Sequence, residues 1–417
     1  MTMVAVTRPW HPLTRIAFRF CFVYFGLFCL LFAQIVFVYA GILTRWLPQD
    51  AVIWQMTVIE PIFSWVGHHV FGVKAVLHRD SNSGDQTVVW VMVFVLFVVA
   101  AGATLIWSLL DRRRLDYDRL YACFAMFLRL SLAGQMLFYG VAKVIPTQMP
   151  SPPLAALLQP FGELTPMAVL WLQVGTSHPY EIALGAVEVA GGLLLFWNRT
   201  ALLGALISAM AMAQVFLLNM TYDVPVKVLS SHLLLVSLFL VAPHIGRLAN
   251  VLVLQRPAEP LTSPALFQST RADRAASAVV TLLAVWVTTG IVVEGWSAWR
   301  EYGDGRPKPE LYGIWAVTEF TADGVSRPPL TTDETRWQRV VFDEPGVITY
   351  QLMDGELVQA PAGEMAVRFE RLGPDRLRAV GDLDGSHVTM SLQQVDLDTF
   401  TLRSGGFHWV QDYPHFA

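Results

Sequence analysis

Seven runs of apolar residues, nearly free of charge, punctuate the first three hundred positions of the chain. They predict membrane spans at roughly 16–43, 87–110, 120–145, 178–198, 200–219, 227–246 and 276–296, because about 18 consecutive apolar residues are enough for a transmembrane helix. The first run is too long for a signal-peptide core and no small-residue cleavage site follows it, so it is read as a retained helix. After residue 300 the pattern changes to alternation of polar and apolar positions, in "GIWAVTEF", "RWQRVVF", "GVITYQL", "MAVRFERL", "RLRAVGDL", "SHVTMSLQQV", "TFTLRS" and "FHWVQDY". Short strands separated by turns at such spacing predict an antiparallel barrel or sandwich.

The fold class expected is therefore an all-α transmembrane bundle followed by an all-β domain. Residues 1–118 form a two-span region with an outer interfacial loop, and 119–250 a four-helix core. Residues 251–299 hold a cytoplasmic loop and the last span, and 300–417 an extracytoplasmic β-domain. In the loop 47–86, Glu60-Pro61 is expected to interrupt a helix lying at the membrane interface, with Trp54 and Trp65 as belt residues. "SNSGDQT" closes this loop as a turn with a helix cap, and a second outer segment, 146–177, is rich in proline. His68 and His69 could pair on a metal, but adjacent residues do not share a helix face, and no metal site is expected.

Composition narrows the class further. Of 417 residues, 54% are hydrophobic and 15% charged, where soluble domains carry about 25% charged residues. The net charge of −4 provides no basic footprint for nucleic acid. Cys21, Cys29 and Cys123 lie in or beside apolar runs with no CxxC pair, which argues for packing thiols over a redox centre. Arginines cluster before the first span, in "DRRRLDYDR", at Arg199 and within 247–274. By the positive-inside rule those segments and the N-terminus are cytoplasmic, and the C-terminus lies outside.

Ionisable groups within spans are costly and so mark candidate sites. Arg129 and Lys143 fall on nearly one face of the third span, with Met136 and Gly140 between them. Glu181 and Glu188 share a face of the fourth, flanked by Gly185 and Gly192. Counted from the inner ends of their helices, Arg129 and Glu188 lie about 14 and about 15 Å deep, which predicts an Arg129–Glu188 ion pair that either locks two helices or frames a site. Lys143 either anchors at the outer rim or, held in partly apolar surroundings beside Tyr139, His178 and Glu181, serves as a base or nucleophile.

The hairpin "LNMTYDVPVKVLSSH" adds Asn219, Tyr222, Asp223, Lys227 and His232. Asp223 is expected as N-cap and Pro225 in the first turn, with Lys227 offset by Asp223 four residues earlier. Gathered at the outer ends of spans three to six, these groups would form a polar pocket for an amphipathic or anionic ligand. Lys143, Glu181, His178, Asp223, Tyr222, Lys227 and His232 are the catalytic candidates; Tyr139, Gly140 and Asn219 the ligand-binding ones.

The segments "RLSLAGQMLFYGVAKVIP", "GAVEVAGGLLLFWNR" and "LNMTYDVPVKVLSSHLLL" resemble the DoxX-like family of membrane proteins over about 130 residues. Arg129, Gly140, Lys143, Glu188, Asn219 and Asp223 stand at its motif positions. The "GIW" of the first strand is similar to the opening of lipocalin-type barrels. The DoxX-like resemblance implies a four-helix core and, since some members are similar to subunits of thiosulfate:quinone oxidoreductase, a quinone as possible cofactor. Paired thiols suited to sulfur chemistry are lacking here. The expected function is thus a multi-pass protein that binds a quinone-like molecule in an outward pocket and supports a redox reaction. Its partners would be the lipid bilayer and a redox or envelope protein. The alternatives are a non-enzymatic assembly or stress factor whose β-domain binds an envelope partner, with "GFHWVQDYPHF" suited to a lid, and a small-solute carrier, against which the absence of an inverted repeat counts.

Overall fold

The computed structural model describes residues 9–32, 34–258, 269–383, 385–404 and 409–412. Contacts divide the chain into two units: Met1–Gln148 with Pro179–Ala298, and Met149–His178 with Trp299–Ala417. The segment 149–178, counted with the four-helix core in the sequence reading, groups with the β-strands.

Among the described residues, seven helices, lying almost wholly in the first unit, are long and apolar enough to cross a membrane: Pro12–Leu31, Thr87–Leu110, Asp118–Val144, His178–Phe196, Ala201–Thr221, Lys227–Leu252 and Thr270–Glu301. They are called spans one to seven below. The first is shorter than its apolar run. It ends at Leu31, and Val38–Trp46 forms a separate 3-10 stretch kinked at Gly41. The third span carries Asp118 in its first turn and Lys143 in its last, the arrangement that complements a helix dipole. The outer-loop helix Trp54–Val66 runs through Pro61, where a break was expected; it forgoes only the one amide hydrogen bond that proline cannot donate.

Spans three and four meet backbone to backbone. A Cβ added at Gly185 would lie 2.5 Å from the Gly140 carbonyl oxygen, and one added at Gly140 would lie 2.8 Å from the Val189 amide nitrogen. Small residues permit such approach, and in lipid close packing is what drives helices together.

The second unit is a single antiparallel sheet, curled into a half-barrel. Its strands are β1 (Gly313–Ala322), β2 (Val325–Ser326), β3 (Trp337–Phe342), β4 (Val347–Leu352), β5 (Leu357–Pro361), β6 (Val367–Arg371), β7 (Arg376–Leu383) and β8 (Ser386–Gln394). They run in the order β5-β4-β3-β1-β8-β7-β6, with β2 paired to β1. Trp315, Phe320, Trp337, Leu377, Met390 and Leu392 form its core. Period-two burial along β1 and β8 places these side chains on one face. Arg336 is buried as well and gives its guanidinium to the Arg327, Trp337 and Val317 carbonyls; burial lowers its pKa, and the nearby Asp333 carboxylate partly restores it.

Residues 149–178 join this unit through a small cluster of Leu154, Ile314 and Val341, and the Leu154 amide donates to Asp343 at 2.8 Å. "TFTLRS", expected as a strand, contains instead a short helix, Thr401–Ser404, whose last amides bond the Phe400 carbonyl. The expected "FHWVQDY" strand lies partly outside the described residues, and positions 409–412 form no strand. The lid proposed on "GFHWVQDYPHF" likewise lies mostly outside them.

Candidate functional site

Most polar residues of the hairpin between spans five and six are bonded to one another or to distant groups on other elements. The N-cap of span six is supplied by Asp85, whose carboxylate accepts from the Lys227 and Val228 amides at 2.8 and 2.9 Å. Asp223, expected in that role, is an exposed turn residue with φ 53° whose carboxylate accepts from Lys227 Nζ at 2.8 Å. Pro225 precedes the helix, and Tyr222 closes span five with its amide on the Leu218 carbonyl. Asn219 donates to Ser230 Oγ at 3.0 Å. His232 is buried, bonded to the Tyr24 hydroxyl at 2.8 Å and to the Val228 carbonyl, and stacked on Phe28. With both ring nitrogens engaged, it packs as a satisfied core histidine.

The expected Arg129–Glu188 pair does not form. Glu188 accepts two hydrogen bonds from Lys143 Nζ, at 3.0 and 2.8 Å, with both side chains buried. Arg129 spends its guanidinium on the Leu195 and Phe196 carbonyls and on Asn198, the last turn of span four and the turn beyond it. The physical reason is register. Counting depth from helix ends assumed that spans three and four end flush, whereas Gly140 lies against Glu188 and Val189, and Gly192 against Ala133 and Met136. Span three therefore extends well past the end of span four. Arg129 is left at the C-terminal carbonyls, whose unsatisfied acceptors and negative dipole end suit a cation.

Around Lys143 the bundle is polar, and the lysine itself is buried. Its ammonium also contacts the Tyr139 carbonyl and ring. The Tyr139 hydroxyl accepts from Gln34 at 3.0 Å, and Gln34 and Gln135 bond one another. Gly140 serves the helix contact described above. Glu181 is fully buried. His178 lies in the second unit, where Nε2 meets Asp304 at 2.8 Å and Ser151 Oγ at 3.0 Å. Most of the candidates predicted to line one outward pocket are thus divided among separate bonded groups.

The sequence reading missed three structural groups. Arg19, used only for orientation, is buried and bonded to Ser108, the Asp111 carbonyl and the Tyr117 hydroxyl, which in turn donates to Asp111. Asp85 lies in "SNSGDQT", whose pattern marks a turn with a helix cap but not the distant helix that it caps, and nothing in the pattern marks the Gln34–Gln135 pair. A lone arginine inside the first apolar run was the available signal for Arg19.

A cavity of about 900 Å³ lies at the opposite end of span three from Lys143. Phe18, Met126, Leu202, Phe239 and Leu240 supply apolar walls, while Asp118, Arg129, Asn198, His244 and Arg247 supply polar groups. Asp118 accepts from Trp10 Nε1 at 2.8 Å. Arg247 stands on the helix Ile245–Leu252, which carries exposed Ile245, Val251 and Leu252 beside its polar positions. A concave space with apolar walls and few polar groups is the usual form of a small-molecule site.

Fold and cavity together define a multi-pass helical membrane protein with an appended antiparallel β-sheet unit. No family model matches the chain, and no solved structure does. It is 34% identical over 121 residues, 27% of this chain and 71% of the other, to the uncharacterized protein YwoB of Bacillus subtilis (strain 168). The chain belongs to the same family as YwoB.

Proposed function

We propose that the helical unit binds a lipid-soluble amphiphile, of which a quinone is one example, in the cavity at the Arg129 end of the bundle. The observation that carries this reading is the cavity itself: about 900 Å³, within the range of ligand sites, with apolar walls from several spans and polar groups from Asp118, Asn198 and Arg247. The site proposed lies at the other end of span three from the expected rim, where most of the candidate groups are engaged in separate local bonds. The function proposed is binding, not turnover. By the positive-inside rule, Arg15, Arg112, Arg113, Arg114, Arg119 and Arg199 would set this end toward the cytoplasm.

We also propose that spans three to six form a DoxX-like core. Of its six motif positions, Arg129, Gly140, Lys143 and Glu188 serve the contact between spans three and four, while Asn219 and Asp223 bond within the hairpin, which supports reading them as the frame of a shared core and not as the reacting groups.

The test is mass spectrometry of organic extracts from the full chain purified in mild detergent, comparing wild type with Ala125→Trp, which fills the cavity from one wall. An amphiphile near one per chain in the wild type and absent from the variant is expected. Equal retention by both proteins would refute the site.

A further inference from the structure

Resting on that reading, we infer that the cavity selects an anionic amphiphile, one whose head carries a single phosphate charge and whose tail lies along Phe18, Phe239 and Leu240. The argument is one of charge. Two arginines and one carboxylate line the space, and neither arginine is neutralised by an acid. Arg129 is held by carbonyl oxygens and an amide. Arg247, among the described residues, has no ion pair or hydrogen bond to the protein. With two arginines against one carboxylate, the wall retains a net positive charge in a setting where apolar walls weaken solvent screening.

The start of span five adds backbone donors beside these arginines. Span five begins at Ala201, in the cavity wall, and its N-cap Thr200 makes no side-chain bond to its own helix. The Thr200 hydroxyl instead donates to the Leu194 and Trp197 carbonyls. The first amides of the span thus lack a side-chain acceptor, and an anionic oxygen is the natural partner for such a helix start. A phosphate also suits the planar donor fork of Arg247, which a neutral quinone carbonyl would use only in part. The cavity alone would admit either head; the unpaired arginine is what distinguishes them.

The source of the phosphate, bilayer lipid or soluble ester, is separated by experiment. Native mass spectrometry of the full chain would use phosphatidylglycerol, phosphatidylcholine with the same acyl chains, and a neutral isoprenoid quinone as probes. Inorganic phosphate would serve as competitor, with wild type, Arg247→Gln and Ala125→Trp compared. Arg247 is only partly buried, so its glutamine variant is expected to fold. Phosphatidylglycerol should bind about tenfold more tightly than phosphatidylcholine, the factor equivalent to about 1.4 kcal/mol. Arg247→Gln should erase that preference, and Ala125→Trp should remove binding of every probe. Equal binding of neutral and anionic probes, abolished by Ala125→Trp and indifferent to Arg247→Gln, would overturn the anionic inference and leave the amphiphile reading standing. Displacement of phosphatidylglycerol by millimolar inorganic phosphate would overturn the lipid tail and favour a soluble phosphate ligand. Binding that Ala125→Trp does not alter would overturn both readings together.

Discussion

The buried pair between spans three and four permits a quantitative test. Lys143 Nζ lies 2.8 Å from the nearer Glu188 oxygen, so at an effective dielectric of about 20 the gross attraction is about 6 kcal/mol. Desolvation of two charges consumes much of that. The single replacement Lys143→Met leaves the carboxylate without its partner, as Glu188→Leu leaves the ammonium, and each should cost about 3–5 kcal/mol. The double variant removes both charges and should lie within about 1 kcal/mol of wild type, since a paired replacement by apolar side chains is often neutral. The assay is reversible unfolding by sodium dodecyl sulfate in mixed micelles, followed by tryptophan fluorescence and read as a double-mutant cycle. Two single variants each costing under about 1 kcal/mol, with additive effects, would refute the pairing as an energetic link between the helices.

Three further outcomes follow from local geometry. Gly185→Ala should cost about 1–3 kcal/mol by overpacking, because its Cβ would fall 2.5 Å from the Gly140 carbonyl; Gly102→Ala, with open space around it, should be neutral or stabilising in the same unfolding assay. Asp85→Ala removes the acceptor of two amides at the start of span six and should cost about 1–2 kcal/mol, seen as faster hydrogen exchange at Lys227 and Val228. In the β-unit, burial raises the Asp333 carboxyl, but bonds from the Thr335 amide and hydroxyl and the Arg336 amide, with Arg327 nearby, outweigh it and hold the pKa below the usual range. That contribution is present above the unfolded value of about 3.9 and is lost as pH falls through the lower folded value. Asp333→Asn should therefore flatten the acid limb of an unfolding titration followed by near-ultraviolet circular dichroism, and an unchanged limb would contradict the assignment.

The spans and most strands were legible because their signals are local: apolar runs for the helices, alternation for β1, β3 and β8. The ends were less so. The first apolar run contains a helix to Leu31 and a kinked 3-10 stretch beyond it, and hydropathy does not distinguish the two. β5, with its intermediate burial, sits at a sheet edge and carries little alternation. The site failed on register. The face shared by Arg129 and Lys143 was readable from helical periodicity, but which of them meets Glu188 depends on where span four stops along span three. Gly140, Gly185 and Gly192 decide that by where two backbones touch, and the contact has no counterpart within either segment alone. The hairpin misled for a related reason: its capping acid, Asp85, comes from more than a hundred residues earlier, where "SNSGDQT" reads as a turn with a helix cap but does not mark the distant helix that it caps.

The grouping of 149–178 with the strands sets an order of events during synthesis. Leu154 must find Ile314 and Val341, which leave the ribosome about 160 and about 190 residues later. At roughly 5–20 residues per second that is about 10–40 s. Throughout this interval an apolar, proline-rich segment waits without its partners while four more spans are made, so a nascent chain arrested before residue 313 should present this segment to chaperones and proteases.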